Sequence, residues 1–207
     1  ILMAPYSARA AEPLKKLSRA FTGEAVLMLT GTDVGIENLM KRAYDVDVLV
    51  YRDKKGYADY LQGNTFGFIP NIDTVVDVIC RKLQKGEKVL FFSSSIDNIE
   101  KIQKQVAEKT LTVVSKYNRD GKRVGGGKRK DVNDLINEEV IPKGFNIVLA
   151  TKSADVGINI HDDDLTTIIV DELCVATALQ EINRKRRAEK EKIDLYFLMP
   201  NGYRTSR

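Results

Sequence analysis

The chain has 207 residues, 43% of them apolar and 30% charged, enough to bury one sizeable core or two small ones. Its 33 basic and 29 acidic residues leave a net charge of +4 and a pI near 8.9, compatible with a nucleic-acid partner but too balanced to demonstrate one. One histidine and two widely separated cysteines, Cys80 and Cys174, argue against a zinc site and a disulfide framework; reduced thiols fit a cytoplasmic setting.

In chain order, the opening "ILMAPYSARA" lacks the charged start and long apolar stretch of a secretion signal. Apolar periodicity predicts a helix over 11–21, a buried strand over 25–30 ending in the turn "GTD", and a strand over 46–52. A polar stretch with Gly56, Gly63 and Gly67 reads as a linker or irregular region. A regular alternation then begins: helix 72–84, strand 88–93, helix 96–108 capped by one of Ser93 to Ser95, and strand 111–115. It continues with helix 131–141, strands 145–150 and 165–171, helix 175–191 and strand 194–199. No apolar run approaches the roughly 18 residues that a membrane span needs. Continuous apolar strands alternating with amphipathic helices predict an α/β fold with a parallel sheet covered on both faces. Ligands on such sheets sit at the carboxyl ends of the strands, here after Ser93, Ala150 and Asp171. The chain starts without Met and stops in "NGYRTSR" just after a strand-like run, the expectation for a piece of a longer protein.

Three suggestive stretches fail on inspection. "GKRVGGGKRK" (121–130) is not a phosphate loop: Gly127-Lys128 would require glycine where Lys122 stands, and Arg129 follows where Ser or Thr is needed. It reads as a flexible basic loop able to brush a nucleic-acid backbone. "TTIIVDE" (166–172) has the strand-plus-acid look of a magnesium site, but no phosphate loop precedes it. "HDDD" (161–164) reads as a polar turn, with a hard-cation site as the less favoured alternative. No metal ligand is assigned.

The basic run "LQEINRKRR" (179–187) carries more. On a continuous helix Gln180, Arg184 and Arg187 share one face, and Val175, Leu179 and Ile182 the opposite one. Lys185 falls to the side, and Arg186 elsewhere; both read as surface charge. Guanidinium forks suit phosphate oxygens and stay charged near neutral pH. Upstream lie "ATKSADVGINI" (150–160) and "VLFFSSS" (89–95), whose hydroxyls at strand ends are good donors to a nucleic-acid backbone.

In this order the three segments resemble the second RecA-like lobe of superfamily 2 helicases. "VLFFSSS" looks like motif IV, "ATKSADVGINI" like motif V (Ala-Thr, then Gly-Ile-Asp/Asn-Ile), and "QEINRKRR" like motif VI (Gln-x-x-Gly-Arg-x-x-Arg). "VLMLTGT" (26–32) is similar to the motif III strand that closes the first lobe. Motif VI departs from the pattern, with Asn183 and Arg186 where glycines are usual. The resemblance implies a RecA-like parallel sheet of the P-loop NTPase-like kind. It divides the chain into the end of a first lobe with linker (1–66) and a second lobe (67–207), incomplete at its C-terminus.

The resemblance also implies roles. Arg184 and Arg187 contact the ATP phosphates, one as an arginine finger; Gln180 and Gly157 help form the ATP site. Ser93, Ser94, Ser95 and Thr151 hold the nucleic-acid backbone without sequence preference. Asp155, Asn159, Thr30 and Thr32 couple the two sites. ATP would come with magnesium held mainly by first-lobe residues, so the chain alone is expected to be inactive as an ATPase. Plainer readings stay open: a strand end for Thr151, turn residues for Asp155 and Asn159, a helix cap for the serines, core for Thr30. The alternative for the whole is a non-catalytic RecA-like or Rossmann-like module that binds nucleic acid or protein.

Overall fold

A strand such as "KVLFFS" shows no polar alternation because both of its faces are buried. Successive side chains point to opposite sides of a strand. Leu90 and Phe92 accordingly enter one apolar cluster, while Val89 and Phe91 enter another on the other side. The computed structural model describes residues 65–114, 129–151, 158–172, 175–186 and 191–199. They build β1 (Thr65–Ile69), α1 (Ile72–Leu83), β2 (Lys88–Ser93), α2 (Ile96–Gln105), β3 (Thr110–Val113), α3 (Arg129–Glu138), β4 (Ile147–Ala150), β5 (Leu165–Asp171), α4 (Val175–Ile182) and β6 (Asp194–Leu198). All lie in the unit Leu61–Arg207. The expectations for 11–21, 25–30 and 46–52 lie outside the described residues.

The strands form one six-stranded, wholly parallel sheet in the order β1-β6-β5-β2-β4-β3. Helices α1 and α2 lead the chain toward the β3 edge and pack on one face, through Val75, Ile79, Ile99 and Ile102. Helices α3 and α4 lead it back and pack on the other, through Leu135, Ala178 and Ile182. A single handedness of crossover requires that change of face whenever the direction of travel reverses.

Local chemistry sets the helix ends. Asn71 caps α1 by accepting the Thr74 N–H (2.9 Å), and Ser95 caps α2 by accepting the Asn98 N–H (3.3 Å). Gly86, at φ 75°, supplies the left-handed turn from α1 into β2. At the amino ends of the strands Lys82 donates to Asp194 and to Glu87 (2.9 Å), and Thr166 donates to Glu87 (2.5 Å). Burial opposes the Lys82 charge, but its hydrogen bonds to Asp194 and Glu87 prevail and its pKa is raised. The Thr166 hydroxyl, then Lys82, lower that of Glu87. Burial opposes the Asp194 charge as well, yet the hydrogen bonds from Lys82 and Thr65 hold its pKa down.

Two elements differ from expectation. The stretch read as linker contains β1, an edge strand paired only with β6, and the expected boundary between 66 and 67 falls inside it. The helix expected over 175–191 stops at Ile182, because the chain beyond it pairs with another segment instead of continuing the helix. No described helix is long and apolar enough to cross a membrane.

Candidate functional site

The direction of travel splits at β2 and β5. The helix after β2 lies on one face and the helix after β5 on the other, so the carboxyl ends of these neighbouring strands form a topological switch point, the place where such sheets bind ligands. Ser93 and Asp171 sit there in register. The Ser93 hydroxyl donates to Asp171 Oδ2 (2.6 Å) and accepts the Ser95 N–H (3.0 Å); Asn98 Nδ2 donates to the same carboxylate oxygen (3.0 Å). Ser93 is thus buried with its hydroxyl committed twice, Ser95 is the helix cap, and Ser94 alone of the three is exposed. Thr151 follows β4, beside β2; it is buried, and its N–H donates to Val113 O (3.0 Å).

A second group forms where the chain descends from β4 to β5. Ile160 pairs in parallel with Lys185: the Ile160 N–H donates to Arg184 O (2.8 Å) and the Arg186 N–H to Ile160 O (2.9 Å). The end of the motif V-like segment is thereby joined to the motif VI-like one. Asn159 accepts from Arg186 Nε (2.9 Å) and donates to Glu139 Oε1 (2.9 Å). Glu139 follows α3 at φ 54°; its carbonyl accepts the His161 N–H (2.6 Å), and its Oε2 lies 3.3 Å from His161 Nε2. Gln180, on α4, and Arg184, just past its end, are both half-buried. Gly157, Asp155, Arg187, Thr30 and Thr32 lie outside the described residues.

Of the expected stripe, Gln180 lies on the helix and Arg184 does not. Arg184 lies in a turn after Ile182, its N–H on Glu181 O (3.1 Å). Lys185, expected at the surface, is instead buried: Nζ donates to Asp162 O (2.7 Å) and pairs with Glu191 Oε1 (2.7 Å). Arg186 is exposed, as expected of a surface charge. "HDDD" is a turn whose Asp162 is 4% exposed, neutralised by Lys88 Nζ (2.8 Å) and further bound by the N–H groups of Ile141 (3.2 Å) and Asp164 (3.1 Å). Among the described residues no group of three His, Cys, Asp or Glu could hold a metal ion.

No family model matches the sequence, and no curated protein matches it. Solved structures do. The DUF1998 helicase MrfA bound to DNA superposes with a TM-score of 0.54 at 14% identity, over 91% of this chain and 26% of that one. A variant of S. cerevisiae Dbp5 bound to Gle1 and IP6 gives 0.50 at 12%, over 96% and 50%. The fold shared with these two structures is the RecA-like α/β fold, with its wholly parallel sheet. The C-terminal part of the Fun30 ATPase domain also matches, with a TM-score of 0.48 at 18% identity, over 96% of this chain and 63% of that one. The chain thus spans less than two thirds of the length of these structures.

Within this fold, sequence reasoning missed Asp171, Asn98 and Glu139. Asp171 offered a signal, an acid at the end of a buried strand, but it was weighed only as a metal ligand. Glu139 offered none, since its role depends on a left-handed backbone and on two residues of another segment.

Proposed function

We propose that the chain serves as the second RecA-like lobe of an ATP-dependent nucleic-acid helicase or translocase, in a cytoplasmic setting. The observation that supports this most is the pairing of Ile160 with Lys185, which joins a motif V-like segment to a motif VI-like one on this fold. ATP would lie between this lobe and a first lobe that carries the phosphate loop and the acids for magnesium. The donor chemistry fits: the Arg184 guanidinium and the Gln180 amide sit near one end of α4, and guanidinium suits phosphate oxygens without losing its charge. Arg187 and Arg184 contact the β- and γ-phosphates, one as the finger that stabilises charge on the transferred phosphoryl group. Gly157 lets the main chain approach the nucleotide. Asp155 and Asn159, with Thr30 and Thr32 at the lobe junction, couple hydrolysis to movement of the strand.

On the strand-binding rim, Ser94 is the hydroxyl exposed for a phosphate; Ser93 and Ser95 shape the turn that presents it. Thr151 completes the rim at the end of β4. Such contacts hold RNA or DNA without sequence preference. A non-catalytic binding module is the rival reading, favoured by Asn183 and Arg186 in place of glycines.

The test is ATP hydrolysis by the intact polypeptide, with and without single-stranded nucleic acid. Loss of an arginine finger costs about 10³–10⁵ in rate, so Arg187→Ala should abolish stimulated turnover. The 207-residue chain by itself should not turn over ATP. Equal turnover by parent and Arg187→Ala would remove the finger role, and no turnover by the intact polypeptide would favour the rival.

A further inference from the structure

Lys185 stands in a basic run, yet its side chain is 1% exposed. An ammonium taken out of water is strongly unfavourable unless it is paired and hydrogen-bonded. Here it is both: Nζ lies 2.7 Å from Glu191 Oε1 and 2.7 Å from the carbonyl of Asp162. The backbone on either side is pinned as well, since Arg184 O and the Arg186 N–H both bond Ile160. Asp162 is in turn fixed by Lys88 at the start of β2 and by the Ile141 N–H. A chain of bonds therefore runs from the sheet through Asp162 and Lys185 to the main chain of Arg184. A buried ion pair is a poor device for stability, because apolar residues of similar size often do as well or better. What it provides is register, since an ammonium must meet its acceptors in one geometry.

We propose that Lys185 is a positioning residue: its buried pair with Glu191, and its bond to Asp162, preset Arg184 for the phosphate it meets. This rests on the second-lobe reading above. Lys185 does not touch the nucleotide; it acts by holding the turn that carries Arg184.

The decisive variant is Lys185→Met combined with Glu191→Leu, which removes both charges and leaves neither stranded. It should melt at or above the parent temperature. In the intact polypeptide its kcat for stimulated ATP hydrolysis should fall about 100-fold, the scale of a 1 Å misplacement, while KM for ATP changes less than about threefold. In the 207-residue chain without nucleotide, amide exchange at Ile160 and Arg186 should quicken about tenfold, with Ile168 in β5 unchanged. Lys185→Arg, which keeps the charge, should restore part of both. Parent kcat with parent exchange in the double variant overturns the proposal. If the double variant does not fold, Lys185→Met alone decides, because parent kcat and exchange there also overturn it. If Arg184→Ala leaves turnover intact, the second-lobe reading of Arg184 fails, and exchange still reports whether Lys185 holds the turn.

Discussion

Asp171→Ala is the most direct probe of the switch point. The substitution removes the oxygen that accepts both the Ser93 hydroxyl at 2.6 Å and the Asn98 amide at 3.0 Å. Hydrogen bonds to a charged group contribute about 1.5–3 kcal/mol each when dry, and because Asp171 is half-buried each is taken here as about 1–1.5 kcal/mol. The loss is then about 2–3 kcal/mol, and at about 2–4 °C per kcal/mol for a chain of this size the melting temperature should drop about 4–12 °C. Ser93→Ala breaks one of these bonds and leaves the Ser95 N–H without its acceptor, for about 1.5–3 kcal/mol. The two changes share a bond, so a double-mutant cycle by urea unfolding should show about 1 kcal/mol of coupling. Asp171→Asn keeps an acceptor oxygen and should fall between parent and alanine. Singles that add within about 0.3–0.5 kcal/mol, or an alanine variant as stable as the parent, would refute the claim that this carboxylate organises the rim.

The Lys82 network sets a pH window. Glu87 and Asp194 have lowered pKa values, so their contribution is complete above the ordinary values of 4.5 and 3.8 and is lost as pH falls through the lower folded values. Lys82 has a raised pKa, so its contribution is complete below 10.5 and is lost as pH rises through the folded value. The network's contribution, read by urea unfolding as the difference between the parent and Lys82→Met, should thus be constant between these limits, and Lys82→Met should flatten the acid limb; an unchanged acid limb would count against the pairing. At Gly67 a Cβ would stand 2.7 Å and 2.8 Å from ring carbons of Tyr196. Gly67→Ala should therefore destabilise by about 1–2 kcal/mol through overpacking, and Tyr196→Ala in the same chain should cancel that increment in thermal melts.

Burial explains which elements the sequence announces. β2, β4 and β5 are covered on both faces, and a strand that must be apolar throughout is conspicuous. β1 is not: "TFGFI" has a glycine at its centre and exposed Phe66 and Phe68, and it is a strand because β6 lies beside it. Ser93, Ser94 and Ser95 looked interchangeable as three hydroxyls at a strand end. Burial and partners separate them into a buried anchor, an exposed donor and a helix cap. Asn98 gave no sign of its bond to Asp171, since nothing local distinguishes it from any polar residue in the first turn of a helix.

The misjudged helix end has a deeper cause. By propensity and by charge, "LQEINRKRR" is good helix, and Asn183 is the sole local hint of a stop. The helix loses because Arg184 and Arg186 gain main-chain bonds to Ile160, and Lys185 gains two acceptors that a solvated helix face could not offer. Neither gain is local. The acidic turn 161–164 and the basic run 179–187 each looked like an ordinary solvated charge cluster when weighed alone. Yet Asp162 binds Lys88 through its carboxylate and Lys185 through its carbonyl, so one residue of the turn and one of the run are buried together. A charge run cannot be assigned to solvent until every segment able to face it has been placed, and here that assignment decides how Arg184 is held.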